Sequence, residues 1–140
     1  MIKGSRYAYL FASWLFLLGV VAQVYLAGMV VVARQTGWDV HIELGHMLGL
    51  PLLIMLISMY LGRLPTPMKP LTWLLFVVYV LQADVVIFLR TQLPVVSALH
   101  PVFALLDFAL AVALARRAWL LARQPAAQPA HADLQASPDF

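Results

Sequence analysis

DVHIELGHMLGLPLLIMLISMYL, residues 39–61, decides the fold. From Met47 to Leu61 it carries no charged side chain. A bilayer core of about 30 Å needs about 20 apolar residues of helix, so this stretch reads as a transmembrane span. Its polar residues gather at the start. Asp39, Glu43 and His46 stand at i, i+4 and i+7, which puts them on one helical stripe.

Three further runs of the same kind flank it, at about 7–33, 70–89 and 95–119. Open sheets cannot satisfy their backbone in lipid, so the fold class is all-α: a polytopic four-helix transmembrane bundle. The first run is too long for a signal-peptide core and reads as retained. The whole chain agrees. Of its 140 residues, 64% are hydrophobic and 11% are charged, against about 25% charged in a soluble domain. Mean hydropathy is +0.90. This excludes a soluble globular enzyme, a disordered chain and a nucleic-acid-binding domain. With no cysteine, disulfides, thiolate metal sites, iron–sulfur clusters and Cys nucleophiles are excluded too.

The connectors are short. Residues 34–38 have turn chemistry, with Thr36 and Asp39 at capping-box spacing before the second helix. Residues 62–70 hold three prolines, and 91–94 form a tight link. The transmembrane domain is therefore residues 1–123. The Ala-, Pro- and Gln-rich tail, 124–140, reads as disordered and cytoplasmic. Lys3, Arg6, Arg63, Lys69, Arg116, Arg117 and Arg123 fall on one side, and only Arg34 and Arg90 on the other. The positive-inside rule then places both termini in the cytoplasm of a multi-pass inner (plasma) membrane protein.

Ionisable groups inside a span mark function or a partner. Here they are Glu43, His46, Asp84, His100 and Asp107, accompanied by Gln23 and Gln82. His41 lies near the water interface and reads as solvated. The two hairpins resemble each other: Gln23 and Arg34 in the first answer to Gln82 and Arg90 in the second. Each is followed by a helix with a histidine near its outer end, His46 and His100. In a four-helix ring the second and fourth helices are diagonal. The two imidazoles are therefore expected to face each other across the core as a metal-ligand pair.

Glu43-x-x-His46 allows two chemistries. Glu and His can bind one metal ion, as in di-iron bundles, but no second such pair is present. Alternatively His46 binds a haem iron with Glu43 beside it, or Glu43 faces outer water. Gly28, Gly45, Gly49 and Ala104 leave room for a flat ligand, or equally let helices approach closely. Arg34 and Arg90 stand at the outer rim, where they suit haem propionates or serve as plain interface anchors. The glutamines bond either the ligand site or neighbouring helices. Asp84, two residues from Gln82, points roughly the other way, which implies either a contact with another subunit or a helix rotated from this placement.

These residues resemble one four-helix half of haem A synthase. The resemblance rests on Gln23 with Ala27-Gly28, Glu43-x-x-His46, Gln82, and Leu99-His100 with Ala104, and covers about residues 10–115. It implies His46 and His100 as axial ligands of haem b, with Glu43 poised beside the iron. The chain has one such half where the family has two, and it lacks the family's cysteine pair. What is implied is a small b-type cytochrome-like protein carrying electrons near the outer face. Its partners would be the bilayer, a quinone or a larger redox complex, or a second copy. If it is an enzyme, it is a membrane oxidoreductase using haem. The competing readings are a non-catalytic accessory subunit and a proton or metal-ion transporter using Glu43, Asp84 and Asp107.

Overall fold

The computed structural model describes residues 1–123, with the side chain of Val86 left aside; the expected disordered tail lies outside the described residues. The chain there is all-helical. Helix α1 runs Ile2–Val31, α2 Asp39–Met47, α3 Gly49–Leu61 and α4 Met68–Val80. A π-helical segment, Leu81–Val85, leads into α5, Val86–Phe88; α6 is Pro94–Ser97 and α7 is His100–Ala122. Four helical stretches are long and apolar enough to cross a membrane: Ile2–Val31, Asp39–Leu61, Met68–Val85 and Pro94–Ala122.

Two spans are interrupted where the sequence implied continuous helix. Proline explains both. Pro51 has no N–H to offer the Met47 carbonyl, and Pro101 none to offer that of Ser97. The chain accordingly breaks at Leu48 and at residues 98–99. The expected cap at Thr36 does not form. Trp38 is the N-cap of α2, without a side-chain cap bond, and Asp39 lies in the first turn, where a carboxylate suits the helix N-terminus.

Helix α1 packs against α3 and α7, and α4 packs against α7 and α3. The second and fourth spans are therefore diagonal. Tyr9, Phe16, Leu52, Met55, Met59, Leu75 and Leu114 are fully buried at the centre. Most other apolar side chains, including Phe11, Leu18, Leu53, Val77 and Leu105, face outward. Such a surface suits lipid, which solvates it at no hydrophobic cost. At one end, Arg6 Nε donates to the Gly62 carbonyl at 3.0 Å, tying the start of α1 to the loop after α3. A Cβ on Gly62 would stand 2.9 Å from the Ser58 carbonyl, so this turn needs glycine.

A buried hydroxyl pair links α1 to α4. Thr72 Oγ1 donates to the Met68 carbonyl at 2.9 Å, so Tyr9 is the donor in its 2.6 Å bond to Thr72. Tyr9→Phe leaves no group unpaired, because Thr72 keeps its own helix bond. The expected loss is about 1 kcal/mol or less, measurable by unfolding in detergent.

The two hairpins superimpose in sequence at one offset. Adding 59 to the residue number takes Trp14 to Trp73, Gln23 to Gln82 and His41 to His100. Burial follows the same offset: Tyr9 and Met68, Ser13 and Thr72, Phe16 and Leu75, Val20 and Tyr79, Leu48 and Asp107, Met55 and Leu114 are all buried. Between these positions, none of residues 21–47 is buried, nor, Val86 aside, any of 80–106. The bundle is thus a tandem pair of hairpins, tightly packed at the cationic end and open in the half that carries the histidines.

Candidate functional site

The site is built from one element used twice. In the first hairpin, His41 Nδ1 lies 3.2 Å from the Gln23 carbonyl, and Gln23 Nε2 donates to the His41 carbonyl at 2.9 Å. In the second, His100 Nδ1 lies 3.1 Å from the Gln82 carbonyl. Both histidines stand 18 residues after their glutamines. A carbonyl only accepts, so Nδ1 carries the proton in each ring. The neutral imidazole then keeps the lone pair of Nε2, the arrangement in which histidine serves as a metal ligand.

The two rings come from diagonal spans and meet, with centroids 6.2 Å apart and planes inclined by 64°. Trp38 sets its ring edge against His41, centroids 5.4 Å apart. The structure therefore gives His100 a different ring partner from the expected one. His46 is exposed; its Nδ1 bonds the Ile42 carbonyl at 2.9 Å, and its Nε2 lies 3.9 Å from Asp84 Oδ1. The reason is angular. Five residues separate His41 from His46, about 140° around the helix at 100° per residue. Only one of them can face the bundle axis, and it is His41. The offset of 59 residues is the signal that identifies it.

The remaining expected residues sort by the same geometry. Glu43 is exposed, two residues from His41 and on another face of α2. Gly45 stands one turn beyond His41, and a Cβ there would lie 2.9 Å from Gln23 Nε2. Its counterpart by the offset is Ala104, one turn beyond His100. The glycine leaves Gln23 its room behind His41. Gly49 faces Tyr79, whose hydroxyl would be 3.1 Å from an added Cβ and which donates to the Gly45 carbonyl at 2.9 Å. Gly28 has open space where a Cβ would stand. Arg34 and Arg90 are exposed at the histidine end, Arg34 in the left-handed turn that closes α1.

One break in the symmetry brings a carboxyl group into the core. Leu48 in the first hairpin is replaced by Asp107 in the second, fully buried, its Oδ2 accepting from Gln82 Nε2 at 2.7 Å. Three buried oxygens in this layer have no hydrogen-bond partner: Gln23 Oε1, Gln82 Oε1 and Asp107 Oδ1. They form a polar floor under the histidine pair. Among the described residues, no group of three or more His, Cys, Asp and Glu is placed to hold a metal ion. What the geometry brings together is two imidazoles, each with Nδ1 against a glutamine carbonyl.

Compared with known proteins, residues 23–87 match a family of unknown function (DUF6220), somewhat less than half of the chain. That stretch opens on Gln23 and includes His41, His46 and Gln82. No curated protein and no solved structure matches the chain.

Proposed function

We propose that this chain is an integral membrane protein that binds one haem b between His41 and His100 and carries electrons near the outer face of the plasma membrane. The observation that carries the reading is the pair of imidazoles that meet from diagonal spans. The edge-to-face contact, centroids 6.2 Å apart, brings the two imidazoles close enough for one bound group to draw on both. Haem, if bound, would bring its own four nitrogen ligands, and His41 and His100 would be the residues that hold it. The openness of residues 21–47 and 80–106 leaves the surroundings of the pair free of packed core.

A bis-imidazole haem supplies reversible one-electron chemistry with no position open to oxygen. The chain's own residues do the rest. Gln23 and Gln82 fix the tautomer and tilt of the imidazoles. Gly45 keeps the space that Gln23 occupies behind His41. Arg34 and Arg90 supply guanidinium groups at the rim for carboxylates. The resemblance to haem A synthase implied His46 and His100; His41 takes the place of His46 on geometry alone.

The test is colour. Protein expressed with ample haem and purified is expected to show a Soret band that shifts on dithionite reduction. A colourless protein contradicts the reading. Orientation follows from charge: Lys3, Arg6, Arg63, Lys69, Arg116, Arg117 and Arg123 share the end opposite the histidines. A green fluorescent protein fused after residue 140 should therefore glow, and alkaline phosphatase fused there should be inactive.

A further inference from the structure

The end of the bundle opposite the histidines holds a cleft with a volume of about 390 Å³. It opens between the loop after α3 and the last turns of α7, beside the start of α4. Its walls are Pro65, Pro67, Met68, Leu120 and Leu121, and the charged side chain lining it is Arg117. The volume falls in the range of small-ligand sites, roughly 300–1,000 Å³.

Charge at this end is of one sign. Lys3, Arg6, Arg63, Lys69, Arg116, Arg117 and Arg123 lie here. The carboxylates of the described residues, Asp39, Glu43, Asp84 and Asp107, all lie in the histidine half or its floor. Three of the cations are held by the protein itself. Arg6 bonds the Gly62 carbonyl, Lys69 stands 5.5 Å over the Tyr60 ring, and Arg123 stands 4.3 Å over the Trp119 ring. Arg117 is exposed and has no hydrogen bond, ion pair or ring contact with any described residue. Its guanidinium offers a planar fork of N–H donors that fits two phosphate oxygens at once.

The cleft therefore has two natures, one unpaired guanidinium and apolar walls. A soluble anion would use only the first. An amphiphile with a phosphate and a hydrocarbon chain uses both. Leu120, 56% exposed, carries the apolar wall out to the surface of the bundle. Trp73 and Trp119, exposed at the same end, mark the level at which head groups meet hydrocarbon.

We infer that this cleft binds an acidic phospholipid of the cytoplasmic leaflet, its phosphate on Arg117 and its acyl chain along Leu120 and Leu121. The leaflet on that side carries the anionic lipids, and basic pockets between spans are where their head groups are held. The inference is independent of the haem reading.

Native mass spectrometry of the full chain in dodecyl maltoside, titrated with dioctanoyl phosphatidylglycerol or dioctanoyl phosphatidylcholine, tests this. The wild type should bind the acidic lipid at least fivefold more tightly, about the value of one arginine near anionic lipid. Arg117→Gln should remove that preference, and Arg117→Lys should keep most of it. Arg116→Gln removes the same charge from an exposed neighbour that does not line the cleft, and it should keep the preference. Thermal unfolding of the variants, followed by circular dichroism, should match the wild type. Equal binding of the two lipids by the wild type would overturn the inference. So would equal losses in Arg116→Gln and Arg117→Gln, which would indicate a diffuse cationic surface. Displacement of the lipid by equimolar inorganic phosphate would overturn it too, by assigning the cleft to a soluble anion.

Discussion

His41→Ala and His100→Ala should each abolish the low-spin haem spectrum, whereas His46→Ala should leave it intact. The first two variants remove an imidazole whose Nδ1 is held by a glutamine carbonyl and whose ring faces its counterpart. The remaining histidine then supplies a single axial ligand, which gives a high-spin spectrum or loss of the cofactor. His46 lies on another face of its helix and bonds only its own turn. Absorption spectra of the three variants, purified in parallel, decide the point. Loss of the low-spin spectrum in His46→Ala, with His41→Ala unchanged, would restore the assignment that the sequence first implied.

Phe16→Ala should destabilise the bundle by about 3 kcal/mol. Phe16 is fully buried and meets Tyr79 edge to face, with centroids 6.0 Å apart. In water, such a truncation loses both transfer free energy and packing. In a bilayer the transfer contribution largely disappears, because lipid tails are as apolar as the core. What remains is the cavity, the lost dispersion contacts and the lost ring pair. The expected value therefore sits at the low end of the range for aromatic truncations. Exposed Phe11, on the same helix, should tolerate Ala with a change within about 0.5 kcal/mol. Unfolding of both variants in mixed detergent micelles compares them directly.

The fold was legible because lipid reduces the choices. Four apolar runs separated by turn residues admit only a helical bundle, and the diagonal placement of the second and fourth spans follows from short connections. A histidine pair on the diagonal spans was expected from the sequence, but its register was not legible. His46 looked central because Asp39, Glu43 and His46 share a stripe, yet that stripe is exposed. The anchors used to compare the hairpins did not share one offset: Gln23 and Gln82 differ by 59, Arg34 and Arg90 by 56, His46 and His100 by 54. A single offset of 59 selects His41 and also brings Trp14 onto Trp73. The helix breaks before Pro51 and Pro101 were readable from proline chemistry alone. The reach of Asp84 to His46 was not, because it depends on the π-helical segment, which shifts the helical register near residue 84.

Low-temperature electron paramagnetic resonance of the oxidised, haem-loaded protein interrogates the iron's own ligands. With imidazole planes inclined by 64°, the expected result is a strongly anisotropic low-spin ferric signal that disappears in His41→Ala and in His100→Ala. A high-spin ferric signal in the wild type, or a low-spin signal that survives both substitutions, would contradict coordination by these two histidines.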